Sequence, residues 1–353
     1  MKKYDLIIVG QGLAGSVLTM KLMKKGFSVK VIDRPELSAC SKVAAGIWNP
    51  VVFKRLSKSW KVDEVLPEML EFYKKCEEEL QVKLITQRNI IKIFSEQQEV
   101  DLWTKKASGE LENYLDKKIY TEELKGIKTS SFGYSKVLNS GNIHVAAFLN
   151  SVRDHLEKKG DFLNEEFDHK ALQRGKEIKY KDIQANGIIF CEGHLIKNNP
   201  LFNFTPMKPA KGEVLTIRSE ETNTSEDIIN KNAFLLPLEN NTYKAGATYN
   251  WEDLNDQTSE AGLMELNNKL SKIMSTDFKV LKQEAGVRPS VSDRRPVLGV
   301  HPEHKNVYLF NGMGTKGVML APYFAQRLLE FIVSGKALDP EVDLSRFIRF
   351  FVS

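Results

Sequence analysis

The chain has 353 residues, of which 42% are hydrophobic and 27% charged, the balance of an ordinary globular protein and not of a disordered, collagenous or low-complexity chain. At about 150 residues per domain, that length accommodates two domains with a sizeable core. The net charge of +5 is not concentrated in a basic arm; by itself it names no nucleic-acid partner and excludes none.

Three scattered cysteines, Cys40, Cys76 and Cys191, are too few for a disulfide framework and read as inert thiols in a reducing, cytoplasmic setting. No apolar run reaches the roughly 18 residues of a membrane span. Met1-Lys2-Lys3 resembles the start of a signal peptide, but Asp5 and then Gly10, Gln11 and Gly12 interrupt the apolar stretch.

Tyr4 to Val9 is a short run rich in Leu, Ile and Val, as expected of a strand buried on both faces of a parallel sheet. From Leu13 to Lys25 apolar residues recur at helical spacing, and Gly26 supplies a stop. Ser28 to Ile32 predicts a second buried strand ending at Asp33, and a right-handed crossover makes the two strands parallel neighbours. Between Val62 and Trp103 the chain turns Glu- and Lys-rich, with an amphipathic segment from Glu64 to Leu80 and a strand from Asn89 to Phe94. That change marks an inserted second domain. Val145 to Lys159 predicts a helix ended by Gly160, and Gly187 to Cys191 a strand with which the parallel sheet resumes. Gly212 to Ile217, Ala233 to Leu238 and Thr242 to Thr248 alternate between Asn-rich turns, the pattern of an antiparallel sheet. Val307 to Phe310 is a last buried strand, and Val318 to Ser334 a helix closed by Gly335. The expected fold is α/β plus α+β. A Rossmann-like domain of residues 1–61, 136–205 and 285–353 is interleaved with a substrate domain of 62–135 and 206–284 built on an antiparallel sheet.

Gly10-Gln11-Gly12-Leu13-Ala14-Gly15 fits the dinucleotide fingerprint: the glycines allow a tight turn, close approach of a pyrophosphate, and close packing of helix on strand. A pyrophosphate would sit on the free N–H groups of the helix N-terminus. The motif follows a predicted strand, opens a predicted helix, and is followed by Asp33, whose carboxylate can accept from ribose hydroxyls. Because FAD and NAD both carry adenosine diphosphate, this motif does not separate them.

Other segments do. Cys40-Ser41-Lys42-Val43-Ala44-Ala45-Gly46-Ile47, Gly286-Val287-Arg288-Pro289, Asp293, Pro296-Val297-Leu298-Gly299 and Gly312-Met313-Gly314-Thr315-Lys316-Gly317-Val318-Met319-Leu320-Ala321-Pro322 join the fingerprint. Together they resemble the D-amino-acid-oxidase-like family of FAD-dependent oxidoreductases, most closely its glycine oxidase and sarcosine oxidase branch. The resemblance runs over essentially the whole chain and includes Gly141-Asn142-Ile143, Lys211-Gly212-Glu213 and Gly246-Ala247-Thr248. It implies non-covalent FAD held by Gly10, Gly12, Leu13, Ala14, Gly15, Asp33, Arg34, Ser41, Ala45, Gly46 and Ile47. It adds Phe167 near adenine, and Gly312, Gly314, Thr315, Lys316, Gly317 and Val318 beside the flavin. Ala44, Ala45 and Gly46 are small enough for backbone to lie on a flat ring, or for close packing alone. Amides of the Gly312 to Gly317 loop can stabilise negative charge on the reduced flavin.

The resemblance further implies that Arg288 grips a substrate carboxylate with both prongs of its guanidinium; the alternative is a structural ion pair, with Asp293 as the candidate partner. Glycine oxidase has a Tyr and an Arg where this chain has Phe234 and Thr315, which points away from glycine as substrate. Tyr249 could supply a replacement hydroxyl. His301-Pro302-Glu303-His304 reads as a surface turn and not a metal site. Lys54, Arg55, Lys58 and Lys61 around Trp60 form a basic run that reads as a solvated face or as an acidic-ligand or RNA surface. The expected function is oxidation of the C–N bond of a small amino acid or secondary amine by hydride transfer to FAD, with oxygen or an electron carrier as acceptor. The alternatives are a tRNA-modifying flavoenzyme acting on a carboxymethylaminomethyl-type uridine and a non-catalytic flavin-binding protein.

Overall fold

The computed structural model describes residues 2–34, 39–224 and 226–351. The chain opens as β1 (Lys2–Val9), α1 (Leu13–Lys24) and β2 (Val29–Asp33), continues through the long helix α2 (Val62–Leu80), and then supplies β3 (Ile90–Ile93) and β4 (Tyr134–Val137). Helix α3 (Val145–Lys159) leads to β5 (Phe162–Asn164) and β6 (Ile183–Phe190). Next come β7 (Ala210–Arg218), β8 (Ile228–Asn230), β9 (Phe234–Pro237), β10 (Thr242–Gly246), α4 (Glu260–Leu270) and β11 (Lys279–Arg288), and the chain closes with β12 (Val307–Asn311) and α5 (Gly317–Ser334).

Strands β5, β2, β1, β6 and β12 lie side by side and parallel. Ile7, Ile8, Val31, Ile188 and Ile189 are fully buried, which is why these strands read as unbroken apolar runs. Helices α1 and α5 pack on each other over this sheet, and α2 packs on α5. A second sheet runs β11-β7-β10-β9-β8-β3-β4. Its neighbours are antiparallel, as the alternation predicts, except that β8 and β3 run parallel, Ile228 opposite Ile90. Their 138-residue-apart flanks meet through Asp227, whose carboxylate accepts from Asn89; this pairing has no local signature. Strands β4 and β11 straddle the divisions drawn at 135/136 and 284/285, so Arg288 belongs to the second sheet. No helix among the described residues is long and apolar enough to cross a membrane.

The turn from β1 to α1 depends on two glycines in contact. A Cβ on Gly15 would lie 1.9 Å from the carbonyl oxygen of Gly10, so only glycine lets the helix settle on the strand. Gly15→Ala is expected to lower stability by about 1–3 kcal/mol through this overpacking; a urea midpoint equal to that of the parent protein would show that α1 tolerates the shift.

Candidate functional site

A cavity of about 770 Å³, within the range of small-molecule sites, lies at the carboxyl ends of the parallel strands. Gly10, Gly12, Leu13 and Ala14 line it beyond β1, Asp33 at the end of β2 with Arg34 beyond it, Cys191 beyond β6 and Asn311 at the end of β12. This is where open α/β sheets place ligands. Two long helices begin there, α1 and α5. Neither has a side-chain cap or an acidic residue in its first turn, so their positive ends face the cavity uncompensated. Ser41 fixes the entry to α1 by accepting a hydrogen bond from the Leu13 amide at 3.1 Å.

Ala45, Gly46 and Ile47 line the same space, as do Gly314, Thr315, Gly317 and Val318 from the segment before and into α5. Phe167 lines it from the far side, its ring stacked on Tyr180 at 4.4 Å, and Arg34 pairs with Glu166 at 3.2 Å. Three residues expected at the cofactor do not line the cavity. Gly15 is buried against Gly10. Gly312 packs against Val291, whose Cγ2 would be 2.6 Å from an added Cβ. Lys316 turns its ammonium away to the Ser59 hydroxyl, where burial pulls its pKa down to about 8. Gly46 has a structural duty as well, since a Cβ there would lie 1.9 Å from the Ile143 carbonyl. An uncapped helix start, small backbone-lined walls and a cavity of this volume fit the pyrophosphate, ring system and adenosine of FAD.

Arg288 comes from the end of β11, opposite Ala210 of β7. Its guanidinium donates to the carbonyl oxygens of Lys211 and Thr248 at 3.2 and 3.3 Å and stands 4.9 Å from the Tyr249 ring centre. Burial lowers its pKa, yet a guanidinium stays protonated in a protein. The alternative partner is occupied elsewhere: Asp293 pairs with Arg346 at 2.9 Å. Among the described residues Arg288 has no carboxylate partner. The Cys40 thiol beside it is pushed up to about 11 by burial, against the pull of the Arg288 charge.

The residues that hold Arg288 are less visible in sequence. The guanidinium lies over Gly212, where an added Cβ would fall 2.0 Å from a terminal nitrogen. Lys211 is 2% exposed, and its ammonium reaches Asp253 at 2.6 Å and Asn255 at 2.8 Å. Glu213 accepts from the amide and hydroxyl of Ser259. These two buried charges staple the loop carrying Thr248 and Tyr249 onto β7. The Lys-Gly-Glu triplet was the available signal; its partners lie tens of residues away.

The basic run is largely consumed by structure. Lys58 pairs with Asp63 at 2.7 Å and Lys61 with Asp339 at 3.0 Å, while Trp60 stacks on Phe324 and carries Arg295 at 4.2 Å. Lys54 and Arg55 are exposed. The segment 301–304 does turn, but His301 is buried and not on the surface. Its ring packs edge-on against Phe202, and burial together with His304 holds its pKa down to about 4.

Gly212→Ala should displace the guanidinium while leaving the helix ends untouched. The expected outcome is a protein that retains FAD but binds a simple carboxylate such as acetate at least tenfold more weakly, read from the perturbation of the flavin spectrum. Unchanged acetate affinity would remove Gly212 from the site.

Residues 5–330 match the family model DAO, FAD dependent oxidoreductase. The chain is 23% identical, over 98% of its length, to the bifunctional protein ThiO/ThiG of Trichormus variabilis, and spans 55% of that protein. It is 27% identical, over 86% of its length, to the tRNA 5-methylaminomethyl-2-thiouridine biosynthesis bifunctional protein MnmC of Legionella pneumophila, and spans 47% of it. The chain thus covers about half the length of these two curated relatives. The crystal structure of glycine oxidase from Geobacillus kaustophilus has the same fold, with a TM-score of 0.77 at 17% identity and 98% of each chain covered. A match over nearly the whole chain, on a fold that ends its parallel strands at one glycine-lined cavity, makes this protein a member of the DAO family of FAD-dependent oxidoreductases.

Proposed function

We propose that the protein oxidises the C–N bond of a small amino acid or secondary amine, with Arg288 holding the substrate carboxylate. The observation that carries this reading is the guanidinium itself, half-buried in the cavity wall with two carbonyl oxygens as its hydrogen-bond acceptors. A desolvated cation without a carboxylate favours one brought by a ligand, and its planar fork takes both oxygens at once. FAD, when bound, supplies the acceptor for the substrate's hydride at flavin N5.

The chain's own share is binding and positioning. Gly10, Gly12, Leu13 and Ala14 at the start of α1 serve the pyrophosphate, Asp33 the ribose, and the backbone at Gly314 to Val318 the flavin end, where the α5 terminus favours negative charge. Gly212 below and Tyr249 beside Arg288 hold the fork in one plane, so a bound carboxylate places its Cα at one point in the cavity. The carboxylates lining the cavity are Asp33, at the end of β2, and Glu166 and Glu192, on the segments that follow β5 and β6. None faces the substrate from the second sheet, so the amine binds as the neutral base and water hydrolyses the imine product. With FAD bound, oxygen or an electron carrier would serve as the final electron acceptor.

Arg288→Lys keeps the charge and loses the fork. FAD should remain bound, while anaerobic flavin reduction by amino acids slows by about tenfold to a hundredfold, the equivalent of roughly 1.5–3 kcal/mol for a charge-assisted hydrogen bond. Amines lacking a carboxylate should respond far less. An unchanged rate with amino acids would make Arg288 structural.

The similarity to MnmC supports a second reading, action on an aminomethyl-type uridine of tRNA. Lys54→Glu with Arg55→Glu separates the two. For a small-amine enzyme these exposed charges act only through screened fields, and flavin reduction stays within about twofold. An RNA enzyme would instead lose tRNA affinity and show a flatter salt dependence.

A further inference from the structure

Beyond the carboxylate, the cavity wall says what the rest of the substrate is made of. The second sheet meets the cavity along a row that crosses adjacent strands. On β7, Val214 stands two residues beyond Gly212, hence on the same face as the glycine that carries the guanidinium. Val214 is opposite Gly246 of β10, and Gly246 is opposite Phe234 of β9. A Cβ on Gly246 would meet Val214 Cγ1 at 2.8 Å and Phe234 Cζ at 3.1 Å, so the two side chains close over the glycine as one apolar surface. Phe234 is in turn opposite Asn230 of β8. At about 4.8 Å per strand, this floor extends about 10 Å from the strand beneath Arg288 to Phe234.

The charges around it are few and assigned. Besides Arg288, the basic side chains lining the cavity are Arg34, paired with Glu166, His169, paired with Glu192, and His194, whose burial favours the neutral ring. All three sit on loops that follow the parallel sheet. Asn49, Asn198, Asn230 and Asn311 are the neutral amides. A second carboxylate or an ammonium placed on this floor would give up hydration and find no opposite charge, whereas each methylene placed there gains about fourfold in affinity.

We infer that the substrate is an amine with one carboxylate and an apolar, uncharged side chain reaching over Val214 and Phe234, and that Phe234 sets this preference. The inference rests on the amine-oxidising reading above. It excludes dicarboxylic and dibasic amino acids as preferred substrates and leaves glycine a poor one.

Two titrations of the FAD-loaded protein test it. In the first, acetate, propanoate, butanoate, pentanoate and succinate are bound and followed by the flavin absorbance. In the second, glycine, alanine, 2-aminobutyrate, norvaline, aspartate and lysine, as both enantiomers where they exist and as N-methyl derivatives, reduce the flavin anaerobically. Carboxylate affinity and the second-order rate of reduction should each rise about fourfold per methylene, with succinate, aspartate and lysine well below their apolar counterparts. Phe234→Asn should flatten the carboxylate series. Amino acids that reduce the flavin with no dependence on chain length, or best as aspartate or lysine, overturn the inference and leave the amine-oxidising reading standing. A graded carboxylate series with no reduction by any amine supports the apolar floor and overturns that reading. A flat carboxylate series in the parent protein overturns the floor whether or not the Phe234 variant folds.

Discussion

One half-buried guanidinium organises the second-sheet side of the cavity. A cation removed from water needs compensation, and Arg288 receives it from two backbone carbonyls and an aromatic face instead of from an acid. Carbonyl dipoles soften the desolvation cost without cancelling the charge. The surroundings follow from that requirement. Gly212 has no side chain because the guanidinium occupies its space, and Lys211 and Glu213 are buried because their charged ends tie down the loop that provides the Thr248 carbonyl and the Tyr249 ring.

The cofactor side reaches a positive character by other means. Its sources are peptide groups at the starts of α1 and α5, left without side-chain caps or acidic residues in their first turns, so the cavity attracts anionic groups through fixed dipoles more than through side chains. This explains why a modest net charge carries no information about the ligand. It also explains why the lysines near the site do not face it: Lys316 turns to Ser59, and Lys58 and Lys61 are tied to Asp63 and Asp339. The cavity therefore joins a dipolar half built by parallel strands to an apolar half with a single charge built by the second sheet.

Most of the strands and helices that form these halves could be read along the chain, because each is a local pattern: an apolar run for a strand covered on both faces, a helical spacing closed by glycine, an alternation between Asn-rich turns; β4, β5, β8, α4 and β11 were not read from the sequence. The fingerprint could be read for the same reason, since its strand, turn and helix are contiguous. What single residues touch could not be read in the same way, because it depends on contact at a distance. Gly15 and Gly312 are small because Gly10 and Val291 press on them. His301 is buried by the aromatic rings of Phe202, Phe204 and Phe351, none of which its own turn announces.

By itself the sequence determined the dinucleotide turn and the elements with a clear local pattern, since these depend on neighbours within one or two turns of chain, while Arg288 entered as the substrate candidate through the resemblance of its Gly-Val-Arg-Pro segment to the family. Only the tertiary structure decided what surrounds Arg288. Asp293, five residues away and the natural candidate for an ion pair, went to Arg346. The groups that hold the guanidinium came instead from Lys211, 77 residues away, which is itself tied to Asp253, another 42 distant. The apolar floor has the same origin. Val214, Gly246, Phe234 and Asn230 become neighbours only through the register of four strands, and register is set by which side chains can be buried together, a condition that no single segment contains.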